Sequence, residues 1–168
     1  TSHQASDTGP IPSPDGRRIA FQSNRDGNNE IYVLDLESGA QTNLTKSQAN
    51  DYSPTWSADG TQIAFVSDRD AVPLDEARGM WTNDIYLMDA DGSNVRRLTQ
   101  DNSTNGYAGL DWSPDGRSLA LCLSLFTSHG GYFPLGIHLM NLSDLILTRL
   151  TFDSATIQCD PKWSPDGN

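Results

Sequence analysis

The five residues Trp-Ser-Pro-Asp-Gly stand at Trp112–Gly116 and again at Trp163–Gly167. Trp-Ser-Ala-Asp-Gly occupies Trp56–Gly60, and Pro-Ser-Pro-Asp-Gly occupies Pro12–Gly16. A pentapeptide written four times is either a repeated binding site or a repeated piece of architecture. Its chemistry favours a turn. Pro presets φ at the first central position, Asp hydrogen-bonds the local backbone, and Gly16, Gly60 and Gly116 supply a positive φ.

Three further signatures fall into register with the turn. Each motif is followed by an apolar stretch, RIAF (Arg18–Phe21), QIAF (Gln62–Phe65) or SLAL (Ser118–Leu121). IYVLD (Ile31–Asp35), IYLMD (Ile85–Asp89) and IHLMN (Ile137–Asn141) come next, and each unit closes on Leu-Thr at Leu44, Leu98 and Leu150. The isoleucine-to-leucine offset is 13 in every unit, and the leucine-to-tryptophan offset is 12, 14 and 13. Length varies mainly between the turn motif and the isoleucine, at 19, 29 and 25 residues. A fixed internal period marks a repeat architecture.

Within a unit the segments are short, β-branched or aromatic, and bounded by turn residues, which predicts four strands, A to D. Strands B and C are apolar at nearly every position, as in a sheet covered on both faces. Small four-stranded antiparallel sheets in tandem are propeller blades. The fold expected is all-β: three blades over 7–46, 51–100 and 107–152, and the first strand of a fourth over 157–168. Pro10 and Pro12 weaken the hydrogen-bonding capacity of the first A strand, which suits an edge.

The ordered pattern WSPDG, IAF, S-x-RD, IYVLD and LT resembles the TolB-like β-propeller repeat, a Pro-Asp relative of the WD repeat. That family includes the periplasmic TolB component of the Tol-Pal system and the propeller domains of prolyl-oligopeptidase-type peptidases and tricorn protease. The resemblance implies a fold more directly than a function. It implies a non-catalytic module that binds protein or peptide. The alternatives are the propeller segment of a prolyl-oligopeptidase-like peptidase, gating substrate access, and a self-assembling half-propeller scaffold. It also implies a periplasmic or extracellular location, with the cytoplasm as the alternative.

Composition narrows the partners. The net charge is −11 with only two lysines, which argues against nucleic acid and anionic membrane. No apolar run reaches the ~20 residues of a membrane-spanning helix. No nucleophile elbow, P-loop or HExxH motif occurs, so an enzyme is not expected. SHGGY (Ser128–Tyr132) reads as a glycine-requiring loop. His3, His129 and His138 do not reproduce the histidine cluster with which some pectin-degrading lyases of this architecture hold a metal. NRDGNNE (Asn24–Glu30) and DADGSN (Asp89–Asn94) read as turns and not calcium loops. No metal or cofactor is expected. The sequons at Asn43, Asn102 and Asn141 are treated as incidental. Cys122 and Cys159 read as free thiols ahead of a disulfide, since the repeat explains both positions without a bridge.

Antiparallel order places the B–C and D–A connections on one rim and the A–B and C–D turns on the other. The first rim carries the insertions, and binding residues gather on variable loops held by a rigid scaffold. Asp70, Trp81, Asp84, Tyr107, Phe126, His129 and Tyr132 are the expected partner-binding residues there. Trp56, Trp112 and Trp163 are expected to pack between blades. Three blades do not close a ring, so self-association through the open blade edges is expected, most simply as a homodimer.

Overall fold

The computed structural model describes residues 5–71, 73–75, 80–99, 105–126, 132–151 and 159–167. Every regular element among them is a β-strand. The first blade is β1 (Asp7–Pro12), β2 (Arg18–Ser23), β3 (Glu30–Asp35) and β4 (Gln41–Asn43), paired in sequential antiparallel order. The second follows the same path with β5 (Asp51–Trp56), β6 (Gln62–Ser67), β9 (Asp84–Asp89) and β10 (Arg96–Arg97). A separate two-stranded ribbon, β7 (Pro73–Asp75) and β8 (Met80–Trp81), sits in its B–C connection. The third blade is β11 (Asn105–Trp112), β12 (Ser118–Phe126), β13 (Tyr132–Asn141) and β14 (Leu147–Arg149).

The repeat in sequence is a repeat in register. Phe21 faces Tyr32, Phe65 faces Tyr86, and Leu121 faces His138 across the B–C ladder. Each A strand shifts register just before its turn motif. Gly9, Ser53 and Gly109 take positive φ at that shift. The shift lies three residues before the Trp position in all three blades, so it belongs to the blade design.

The turn motif is held by the same bonds each time. Ser13, Ser57 and Ser113 donate Oγ–H to Asp15, Asp59 and Asp115 Oδ1, which in turn accept from the backbone N–H of Arg17, Thr61 and Arg117. Those hydrogen bonds hold the three carboxyls below the usual range, the serine hydroxyl contributing most. Gly16, Gly60 and Gly116 sit at φ of 67°, 70° and 74°. The repeated pentapeptide is architectural.

The apolar interior lies at the seams between blades. One cluster joins Ala20, Ile31 and Val33 of the first blade to Trp56, Ile63, Phe65, Tyr86 and Met88 of the second. The other joins Ala64, Val66, Ile85, Leu87 and Leu98 to Tyr107, Leu110, Trp112, Leu119, Leu121, Leu123 and Met140. The second blade therefore buries one face against the first and the other against the third. Residues 159–167 begin the next unit alongside β11. The Trp163 backbone N–H donates to Asp111 Oδ2 at 2.6 Å, and the Ser164–Gly167 turn repeats the serine–aspartate and glycine bonds of the motif.

The cysteines correct the sequence expectation. Cys122 and Cys159 form a disulfide with Cα atoms 5.1 Å apart. Their counterparts in register, Val66 with Ala108 and Gln22 with Tyr52, likewise lie in a B strand and in the A strand that follows it. The repeat does place both positions without a bridge, but it places them on facing sides of one seam.

Candidate partner-binding rim

Beneath the B–C rim, the first two blades carry the same polar assembly. The Arg25 guanidinium lies 4.2 Å from the Tyr32 ring centroid and 5.5 Å from that of Phe21. It bonds Ser23 Oγ at 2.9 Å and Asp7 at 3.2 Å. Arg69 repeats this over Tyr86 (4.7 Å) and Phe65 (5.1 Å), bonding Ser67 at 2.9 Å and Asp51 at 3.0 Å. Tyr32 donates its hydroxyl to Asp26, and Tyr86 donates to Asp70. Burial, with the adjacent Asp26 carboxylate, pushes the Tyr32 phenol up to about 12. The recurring S-x-R-D (Ser23–Asp26, Ser67–Asp70) is thus a clamp that ties the rim to strands A, B and C.

A second recurring device closes each blade. Thr45, Thr99 and Thr151 accept the N–H of Ile31, Ile85 and Ile137 on Oγ, which is why Leu-Thr ends every unit. Thr45 and Thr99 also donate to the acids that precede those isoleucines, Glu30 and Asp84. Glu30 further accepts from Asn28 at 3.2 Å and the Ser47 N–H at 2.9 Å, yet burial still raises its carboxyl above the ordinary value. Asp84 bonds Arg97 at 2.6 Å. In the third blade Gly136 replaces the acid, and a Cβ there would stand 2.5 Å from Thr151 Oγ1.

These observations redistribute the expected binding residues. Asp84 is 1% exposed and paired to Arg97, so it is an interior anchor and not a contact residue. Tyr107 is 3% exposed and packs in the second seam. It takes the register position of Asp7 and Asp51, where the third blade, lacking the arginine clamp, places an aromatic. Both corrections share one cause: Asp84 at the start of strand C and Tyr107 near the start of strand A are turned into the packed interior, although they border the rim in sequence. Asp70 stays on the rim, its side chain 54% exposed beside Arg97. Trp81 falls in β8, and Phe126 and Tyr132 pair at the end of the β12–β13 hairpin, their side chains outside the described part. His129 lies outside the described residues. His138 is buried, with Nδ1 3.1 Å from the Gly136 carbonyl. No cluster of metal-ligating side chains occurs among the described residues.

The rim itself is unequal. In the first blade, residues 24–29 connect Ser23 directly to Glu30. The second inserts the β7–β8 ribbon. The third continues its ladder beyond Leu123↔Gly136, the equivalent of Ser23↔Glu30, through Ser124↔Pro134, Leu125↔Phe133 and Phe126↔Tyr132. At about 3.3 Å per residue, that extends the B–C ladder roughly 10 Å beyond where it ends in the first two blades.

This blade design has a known family. Residues 1–109 match the family described as TolB beta propeller domain (PD40). The chain belongs to that family. Among solved structures, TolB from Acinetobacter baumannii is similar with a TM-score of 0.76 at 24% identity, covering 99% of this chain and 37% of that one. A TolB protein from Agrobacterium tumefaciens is similar at 0.72 and 27%, covering 99% and 57%. A puromycin-hydrolysing peptidase of Mycobacterium tuberculosis is similar at 0.60 and 19%, covering 88% and 22%, which places its propeller in the same fold. The chain thus spans between about a third and somewhat over half of the two TolB chains. No curated protein matches it. Among the described residues, no helix is long and apolar enough to cross a membrane.

Proposed function

We propose that this TolB-type segment is a non-catalytic docking module whose B–C rim receives a protein or peptide partner. The projecting β12–β13 hairpin carries the reading. It rises from a seam-packed blade, and the preceding blade inserts the β7–β8 ribbon at the same connection, where the first blade has only a tight one. A scaffold held this rigidly from below can present a fixed edge at little ordering cost. The acidic surface favours a neutral or basic partner. The similarity to TolB structures and the disulfide both support a periplasmic or extracellular setting. Peptides selected from a random display library on the immobilised chain test the proposal. Replacing residues 125–133 by Asn-Gly should weaken the selected peptides at least about tenfold, with little change in the unfolding temperature. Equal binding to the shortened variant would place the partner elsewhere.

A second reading, self-association, has its own observation. Ile137 and Leu139 are incompletely covered and Leu150 is 50% exposed, whereas Ile31, Val33, Ile85, Leu87 and Leu98 in the same register are buried. That face completes itself against another blade, supplied by a second copy when the segment is alone in solution. Light scattering at micromolar concentration giving only an 18.3 kDa particle would refute it.

A further inference from the structure

At the opposite rim, the three seams differ at one repeat position. The second residue after the turn glycine is Arg18 in the first blade, Gln62 in the second and Ser118 in the third. Arg18 reaches across the first seam. Its guanidinium lies 4.6 Å from the Trp56 ring centroid and donates to the Gly60 carbonyl at 3.3 Å. Trp56 Nε1 donates in turn to the Ile11 carbonyl at 3.2 Å.

In the second seam Gln62 reaches back to Asp89 of its own blade at 3.4 Å. A cavity of about 310 Å³ remains, lined by Ser57, Asp59, Gln62, Trp112, Asp115 and Gly116. In the third seam Ser118 is shorter still. The cavity there, about 570 Å³, is lined by the register equivalents Ser113, Asp115, Ser118, Trp163, Asp166 and Gly167 with Pro114 and Leu139, and it opens on the side where the fourth unit is described only over residues 159–167. Among the described residues, the buried indole N–H groups of Trp112 and Trp163 find no acceptor, unlike that of Trp56. The series Arg, Gln, Ser thus runs from a slot crossed by a guanidinium to two slots with space over the tryptophan.

We propose that the Trp112 and Trp163 slots bind arginine side chains presented by a partner protein. Arg18 shows the chemistry that this geometry accepts: a planar cation over the indole face, donating to the carbonyl of the next turn glycine. A guanidinium stacks on an aromatic ring and offers several donors in its plane, which an ammonium cannot. The second slot adds Asp59 and Asp115. Their turn bonds fall on Oδ1, so Oδ2 of each is not spent on the turn. A chain of net charge −11 strengthens the attraction at long range. These slots lie on the A–B rim, so they stand independently of the docking proposed at the B–C rim.

The probe is N-acetyl-arginine methylamide, with the lysine analogue as control, at about 0.15 M salt to suppress general charge attraction. Indole N–H signals are followed by ¹H–¹⁵N correlation spectroscopy, with Trp-to-Phe variants assigning the four tryptophans. The Trp112 and Trp163 signals should shift saturably in the millimolar range, with the lysine analogue at least about tenfold weaker. Gln62→Arg should fill the second slot from within and abolish the Trp112 response. Arg18→Gln should open the first slot and make Trp56 respond, which keeps the test decisive if Gln62→Arg fails to fold. Equal shifts with lysine, no shift at either tryptophan, or an undiminished Trp112 response in a folded Gln62→Arg variant would overturn the proposal.

Discussion

Replacing Trp56 by Ala should cost more stability than replacing Trp112, although the two occupy the same repeat position. Both side chains are deeply buried, at 4% and 9% exposure, and both sit in a seam cluster. Truncating a buried tryptophan to alanine costs about 3–5 kcal/mol through lost transfer energy and the cavity left behind. Trp56 adds its bond to the Ile11 carbonyl, worth about 1 kcal/mol, and the Arg18 stack, worth roughly 0.5–1 kcal/mol. Trp112 carries neither, and its unpaired indole N–H is a penalty that truncation removes. Trp56→Ala should therefore be the worse by at least about 1.5–2 kcal/mol. A domain of this size shifts its melting temperature by roughly 2–4 °C per kcal/mol, so the two variants should differ by at least about 3 °C. Urea unfolding followed by tryptophan fluorescence and by far-ultraviolet circular dichroism gives the comparison, provided the two probes coincide. Equal losses, or a larger loss for Trp112→Ala, would refute the account of the Arg18 stack and with it the premise of open slots in the later seams.

Reducing the Cys122–Cys159 bond, or replacing Cys122 by Ser, should cost up to about 4 kcal/mol for a closed loop with a sequence separation of 37. Amide exchange should accelerate first in residues 159–167, and unchanged protection there would show that the segment docks without the bond. Gly109→Ala should release the same segment, because a Cβ at φ +56° would stand 2.6 Å from the Cys159 carbonyl oxygen. A variant with wild-type exchange rates at 159–167 would contradict that close approach. Asp84→Ala should lose about 1.5–3 kcal/mol, because it removes the charge-assisted bond to Arg97, which stays partly solvated beside Asp70, and a neutral substitution would return Asp84 to the surface. The Glu30 carboxyl is raised by burial first, so its contribution is present below the unfolded value of 4.5 and lost as pH rises through the folded value. Glu30→Gln, which mimics the protonated form, should therefore be less costly at neutral pH than near pH 4. Urea midpoints showing the reverse trend would refute the sign.

The residues that resist reading from sequence are those whose partners lie in another strand. Ser23–Asp26 and Ser67–Asp70 stand out as repeats, but nothing local says that their arginines lie on Phe21 with Tyr32 and on Phe65 with Tyr86. Asp84 and Tyr107 border long insertions and look accessible. Register decides otherwise, since a one-residue step along a strand moves a side chain to the opposite face of the sheet. The disulfide escaped for a similar reason: Cys122 and Cys159 face each other only because successive blades stack in a fixed register.

By itself the sequence determined the blade. Turn chemistry, apolar runs of strand length and the constant 13-residue offset each follow from local backbone preferences and short-range periodicity, so they survive in one dimension. Only the tertiary structure decided what the seams contain. Whether the tryptophan face is crossed by Arg18, left open by Gln62, or wide beside Ser118 depends on how two blades meet. Side-chain reach across that distance is a property of their packing, and the pattern within either blade does not encode it.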